Sequence, residues 1–389
     1  MIYNFFINIF NFFKNNMNIS CLNTLHNLLN IEKKYIKILQ KSHTHINIIK
    51  NKQSFIIDIN NKYFFNITSH SYIIFPKQST SHILLIHGGN SGPSIWFENA
   101  ITLAEKGFIV HCISLPAFGG STVSNKILNF SPMEILIFYS NYIAEYITFN
   151  VGKNNPPQIV SHSIGSYITC FFASKHPKLC KSITIVNGSV FNVFGKNMFY
   201  WGLFFKYGFP NYYAKKLGYI INYIFFQYLH FKQETNLLHY IQVLEMTCRE
   251  NFGELILSKL ISFEKNKLKM DICVFPHMIS TNHYPPISII CSEKDPIFSF
   301  QCNDLLSKFY TEKNEIIKID TSHNPIYHPN FSTYVLESIE KPCKLLYINK
   351  FDEIKQITDN TYSTYSSTET NKIMNQTYHF LLHLLEKEL

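Results

Sequence analysis

The sequence predicts an α/β fold: a mostly parallel central sheet flanked by helices, with an inserted helical cap. Three observations lead there. Apolar runs of strand length alternate with segments long enough for helices, the pattern of a parallel sheet with helical crossovers. That rhythm stops between about Val190 and Ser280 and then resumes. Glycine is scarce, 14 in 389 residues, and nine of the 14 fall between Gly88 and Gly188, where strands would turn into loops and helices.

Residues 1–53 read as an amino-terminal leader. Phe5, Phe6, Ile7, Ile9, Phe10, Phe12 and Phe13 form an apolar cluster broken by Asn8 and Asn11, too short to span a bilayer. No basic residue precedes it, so a targeting segment and a loosely attached tail both remain open. Residues 54–189 form the first part of the core. The runs Phe55 to Ile59 and Tyr63 to Ile67 flank Asn60 and Asn61, which predicts an antiparallel hairpin. Buried strands are then expected at His82 to Ile86, Phe108 to Leu115, Gln158 to Val160 and Ile183 to Val186.

Residues 190–280 are the expected cap, a helix-like stretch crowded with Phe191, Phe194, Phe199, Tyr200, Trp201 and neighbouring aromatics. The core resumes over 281–341, with strands at Ile287 to Cys291 and Glu315 to Ile319 and a helix from about Asn330 to Ile339. Residues 342–389 are a carboxy-terminal extension: a Ser/Thr-rich linker from Asp359 to Thr370, then the apolar spacing of a short helix from Tyr378 to Leu385.

Composition narrows the function classes. The formal charge is +9, but it comes from scattered lysines, and Arg249 is the only arginine, so a forked cluster gripping phosphate is not available. Nucleic acid is therefore not an expected partner. The nine cysteines show neither a CxxC pair nor zinc-site spacing. They read as reduced core thiols, which favours an intracellular setting, and no metal or organic cofactor is expected.

Three motifs carry the chemistry. In Gln158-Ile159-Val160-Ser161-His162-Ser163-Ile164-Gly165-Ser166 a strand runs into a turn with small residues two before and two after Ser163. Ile83-Leu84-Leu85-Ile86-His87-Gly88-Gly89-Asn90 is an apolar strand ending in His-Gly-Gly, and Leu115-Pro116-Ala117-Phe118-Gly119-Gly120 follows the next strand. The first resembles the nucleophile elbow of α/β-hydrolases, where small flanks are needed because the serine sits in a strained strand-to-helix turn. Ser161 stands in place of the usual glycine. The second is similar to the oxyanion-hole loop of that family, and the third to its Leu-Pro-Gly-Phe-Gly turn, with Ala117 replacing one glycine.

The resemblance spans about residues 54 to 340 and implies a serine, acid, histidine order along the chain. A serine hydroxyl is a poor nucleophile near neutral pH, so a histidine must take its proton and an acid must hold that histidine. Asp295 follows the late strand ending at Cys291 and is the expected acid. Only seven aspartates occur, none between Asp58 and Asp271, so the family's alternative acid position near Asn187 has no carboxylate; Glu293 and Asp304 are weaker candidates. His323 follows the last core strand and is the expected base ahead of His328, whereas His87 and His162 read as structural. The resemblance assigns the oxyanion-binding amides to Gly89 and Ile164.

These assignments imply a serine hydrolase, esterase- or lipase-like, that cleaves a hydrophobic carboxylic ester or thioester. Aminopeptidase and acyltransferase activity, and a catalytically inactive binding protein with the same fold, remain open at this point. So does peripheral membrane contact through the cap or the amino-terminal cluster. Ser163 counts against the relatives that use an aspartate nucleophile.

Overall fold

The computed structural model describes residues 32–190, 241–242 and 252–343, less positions 60, 62, 90, 265–266, 282, 296, 299–302, 304–305 and 308–315. The Phe5 to Phe13 cluster, the aromatic run from Phe191 to Tyr213, Asp304 and both features expected of the carboxy-terminal extension lie outside the described residues.

In chain order, helix α1 (32–42) is followed by strands β1 (Ile46–Ile59), β2 (Tyr63–Pro76) and β3 (Ser81–Ile86), helix α2 (Phe97–Glu105), strand β4 (Phe108–Ile113) and helix α3 (Pro132–Asn150). Strand β5 (Gln158–His162), helix α4 (Ile164–Lys175) and strand β6 (Ser182–Val186) come next. After them lie helix α5 (Gly253–Lys259), strands β7 (Ile261–Glu264) and β8 (Lys267–Met270), helix α6 (Phe275–Ile279), strands β9 (Ile287–Ser292) and β10 (Ile317–Ile319), and helix α7 (Phe331–Glu340).

Eight strands form one sheet in the order β1-β2-β4-β3-β5-β6-β9-β10. The β1–β2 and β2–β4 pairs are antiparallel and every later pair is parallel. Helices cover both faces, so the central strands are apolar on both sides: Ile83 to Ile86 are fully buried, as are Ile159, Val160, Ile183 and Ile185. Two apolar clusters result. One holds α3, α4 and the odd-numbered side chains Phe55, Ile57 and Ile59 of β1; the other holds α2, α7 and the even-numbered Ile46 and Ile48.

That division explains why the hairpin is longer than expected. Its strands pair without interruption from Ile46↔Pro76 to Ile59↔Tyr63, whereas the sequence predicted only Phe55 to Ile59 and Tyr63 to Ile67. β1 changes buried face midway, through the polar run Lys50, Asn51, Lys52, so its apolar residues switch parity and the alternation breaks. Residues 32–53 are thus structured: Tyr35 of α1 stacks on Phe97 of α2 at 6.1 Å between ring centroids.

Helix α3 starts where its chemistry dictates. Ser131 caps the Glu134 N–H, Glu134 reaches back to the Ser131 N–H at 2.9 Å, and Pro132 opens the helix. Within 253–280, expected as helical cap, the antiparallel β7–β8 hairpin comes between α5 and α6 in the chain; Ile261 and Phe263, then Leu268 and Met270, alternate with polar residues at strand period. The core also runs slightly past its expected end, because Cys343 pairs with Ile287 through two backbone hydrogen bonds of 2.7 and 3.0 Å. Among the described residues no helix is long and apolar enough to cross a membrane.

Candidate active site

All the expected site residues lie at the carboxyl ends of the parallel strands, the usual place for ligands in an open α/β sheet. β5 delivers Ser163 into a turn with φ 54° and ψ −125°, a conformation an L-residue adopts only when its surroundings hold it there. Two backbone bonds do so: the Ser163 N–H donates to the Val186 carbonyl at 2.9 Å, and the Ser163 carbonyl accepts from the Ser166 N–H at 3.0 Å. Gly165 is required because a Cβ there would collide with the His87 carbonyl. Ser161 fits in the usual glycine position, fully buried, with its hydroxyl 3.5 Å from the Thr184 carbonyl.

His323 enters from the loop after β10 and Asp295 from the loop after β9. His323 Nε2 is 2.9 Å from Ser163 Oγ, and His323 Nδ1 is 3.0 and 2.9 Å from the two Asp295 carboxylate oxygens. An ionised carboxylate can only accept, so Nδ1 carries the proton and Nε2 is left to accept from the serine hydroxyl. Asp295 is itself held, with Oδ1 accepting the Ile297 and Phe298 N–H groups at 2.7 and 3.2 Å. The trio is shielded: side-chain exposure is 8% for His323 and 1% for Asp295. The Phe298 ring lies 5.8 Å from the imidazole on one side and the His162 ring 4.9 Å from it.

The competing candidates sit elsewhere. Glu293 is exposed, and its backbone N–H donates to the Ile319 carbonyl of β10 at 3.3 Å. His328 accepts from the Asn330 N–H at 3.2 Å through Nδ1 and packs on Tyr334. Cys291 is buried beneath the acid loop, and burial pushes its thiol up to about 12.

Two further histidines are structural. His87 accepts the Leu115 N–H on Nε2 at 3.0 Å and so donates from Nδ1 to the Gly88 carbonyl at 2.7 Å. Burial lowers its pKa to about 4, fixing it as a neutral brace between the His-Gly-Gly loop and the Leu115 turn. In that turn Ala117 adopts φ 67° where the resembled family carries glycine. His162 is lowered to about 3, by burial first and then by the neighbouring His323; its Nε2 donates to the His323 carbonyl at 2.9 Å.

Gly89 follows the end of β3, and Ile164 is the first residue of α4. An N–H at the first position of a helix has no carbonyl one turn back to bind, so it is available to an anion and sits at the positive end of the helix dipole. Asn187 was not among the expected site residues, yet it lies at the end of β6 and its side chain contacts Ser292, Ser322 and His323. The signal that could have found it is its position, the place where the resembled family carries its alternative acid. Among the described residues no cluster of His, Cys, Asp and Glu could hold a metal ion.

Comparison with known proteins agrees with the architecture. A family model for the alpha/beta hydrolase fold matches residues 81–219. Among solved structures, the enol-lactonase from Burkholderia xenovorans LB400 is 12% identical, with a TM-score of 0.53 over 74% of this chain and 100% of its own. A membrane phospholipase A described as a bacterial virulence factor is 14% identical, with a TM-score of 0.52 over 87% of this chain and 98% of its own. A variant of epoxide hydrolase from Solanum tuberosum is 13% identical, with a TM-score of 0.53 over 75% of this chain and 99% of its own. No curated protein matches the sequence. At these identities the likeness speaks to the fold, and the chemistry must be argued from the site.

Proposed function

From the premise that the chain has the α/β-hydrolase fold, we propose that it is a serine hydrolase cleaving a carboxylic ester or thioester with an apolar acyl group. The observation that carries this reading is the unbroken chain Ser163 Oγ, His323 Nε2, His323 Nδ1, Asp295, with every link between 2.9 and 3.0 Å. A fold kept only for binding has no need of that alignment.

In the proposed reaction Ser163 Oγ attacks the acyl carbon while its proton passes to His323 Nε2. The carbonyl oxygen becomes an oxyanion held by the Gly89 and Ile164 N–H groups, each typically contributing about 100-fold to 1000-fold in rate. As the carbonyl re-forms, the bond to the leaving oxygen or sulfur breaks and the leaving group takes the proton back from Nε2. Water, deprotonated by the same nitrogen, then attacks the acyl-enzyme and releases the acid and free Ser163. Asp295 stays ionised throughout and stabilises the imidazolium.

The apolar acyl group is supported by the rings around the histidines, Phe298 against His323 and Phe118 against His87 at 5.4 Å. The segment between about 190 and 280 acts as a cap in this reading. Its support is that the Gly253 N–H donates to the Ala117 carbonyl at 3.1 Å and that Gly253 packs so closely on Phe118 that a Cβ would not fit. The returning chain therefore lies on the turn that borders the site.

A fluorophosphonate probe tests the proposal without knowledge of the substrate, together with turnover of short-chain and long-chain acyl esters. Wild type should label and hydrolyse, and folded Ser163→Ala should do neither. A folded wild type that neither labels nor turns over any ester overturns the reading.

A further inference from the structure

At the carboxyl end of β6 one amide side chain reaches both of the loops that carry the candidate acid and the candidate base. Asn187 is 1% exposed and has a left-handed backbone, φ 43°, which asparagine tolerates better than most residues. Its Oδ1 accepts the Ser292 N–H at 2.6 Å. Its Nδ2, with two N–H groups, lies 2.8 Å from Ser292 Oγ, 2.8 Å from the His323 carbonyl oxygen and 3.2 Å from the Ser322 carbonyl oxygen. The amide has a single sensible orientation, because the Ser292 N–H can only donate and the two carbonyls can only accept.

Ser292 ends β9, just ahead of Asp295, and Ser322 and His323 form the turn that presents the imidazole. Asn187 thus ties the acid strand to the histidine loop. The His323 carbonyl takes a second donor from His162 Nε2 at 2.9 Å, so two donors from two different strand ends fill its lone pairs. Ser292 Oγ and Thr321 Oγ1, 2.8 Å apart, extend the same network. Buried networks of this kind are rigid when every member is satisfied.

The consequence concerns where the base sits. Asp295 holds one edge of the imidazole but not the backbone from which the ring hangs. Fixing the carbonyl of His323 fixes its Cα, and with it the position of Nε2 relative to Ser163 Oγ. We propose that Asn187 is a positioning residue for the hydrolytic reaction, acting through the main chain of His323; this rests on the serine hydrolase reading above. Aspartate is no substitute here despite its shape, because it would turn an acceptor toward two carbonyls and lose both donors.

The test uses the full chain with Asn187→Ala and Asn187→Asp. Thr184→Val serves as a control in the same strand, removing a buried hydroxyl that meets Ser338 Oγ at 2.9 Å. Three quantities are measured: kcat and KM on acyl esters, the rate of fluorophosphonate labelling, and the low-field proton resonance of the His323 Nδ1–H shared with Asp295. Both Asn187 variants should lose on the order of 100-fold in kcat and labelling rate, the scale set by a displaced catalytic group, with KM little changed and the resonance lost. Thr184→Val should lower the unfolding temperature yet keep kcat and the resonance. A folded Asn187 variant with wild-type kcat and resonance overturns the proposal, as does a loss of kcat that Thr184→Val shares in proportion to its lost stability. If both Asn187 variants fail to fold, the residue belongs to the fold and the positioning role is likewise overturned. If wild type itself neither labels nor hydrolyses, the hydrolase reading fails separately, while the proton resonance, which needs no substrate, still decides what Asn187 does.

Discussion

Gly88 and His162 leave no room for a side chain between them: a Cβ on Gly88 would lie 2.9 Å from His162 Nδ1 and 2.9 Å from Ser163 Cβ. The His-Gly-Gly loop is therefore pressed against the elbow from the neighbouring strand, and His162 Nδ1 is buried there without a hydrogen-bond partner among the described residues. Gly88→Ala should push the two loops apart. Overpacking of this kind costs about 1–3 kcal/mol, and here the displaced atoms include the candidate nucleophile, so labelling by a fluorophosphonate should fall together with the unfolding temperature. Wild-type labelling in Gly88→Ala would mean that the loop is not seated where its contacts put it.

Asp295→Asn keeps the shape of the acid but removes its charge, and an amide can present its donor to His323 Nδ1. The imidazole then takes the wrong tautomer, with the proton on Nε2 facing the serine. The corresponding change in a well-studied serine protease lowers kcat by about 10⁴-fold, and a loss of that order is expected in ester turnover here. Glu293→Gln, two residues away and exposed, should leave turnover unchanged; equal losses in the two variants would sink the assignment of the acid.

Cys291 tests the identity of the nucleophile from the other direction. The thiolate is the reactive form of cysteine, and burial raises this thiol to about 12, so almost none is ionised near neutral pH. Iodoacetamide should leave hydrolysis intact under conditions in which the fluorophosphonate abolishes it. Protection of the enzyme from alkylation only by substrate, with activity lost otherwise, would point to a thiol mechanism instead.

The parallel part of the sheet was legible because buried strands read as continuous apolar runs, and the strand-to-helix turn at Ser163 because such a turn demands small flanks. Elsewhere the pattern broke for identifiable reasons. β1 serves two apolar clusters on opposite faces, so its alternation changes phase at Lys50 to Lys52 and half of the hairpin was hidden. The β7–β8 hairpin was absorbed into the expected helical cap because four-residue strands barely register as a period. The role of Asn187 was hidden because its position is expected to carry a carboxylate, and an amide that holds loops together by hydrogen bonds has no periodicity or motif of its own.

Acid sensitivity follows from buried histidines outside the candidate triad. His87, His111 and His162 have pKa values lowered from 6.5 to about 4, 3 and 3, in each case chiefly by burial of the charged form. In the unfolded chain the same groups titrate near 6.5. Between those limits the unfolded state binds more protons than the folded one, so stability increases with pH across that window. The stabilising effect of keeping them neutral is complete above pH 6.5 and is lost progressively as pH falls toward 4 and 3. Each such histidine steepens the dependence by up to about 1.4 kcal/mol per pH unit within the window. Urea unfolding midpoints should therefore drop between pH 7.5 and pH 5 as an expected response. His111 lies outside the candidate site, bonded to His82 at 3.0 Å and to the Tyr146 hydroxyl at 3.3 Å. His111→Gln should make that slope shallower by about one proton's worth while leaving ester turnover at neutral pH alone. An unchanged slope in the variant would show that His111 is not held neutral by the fold.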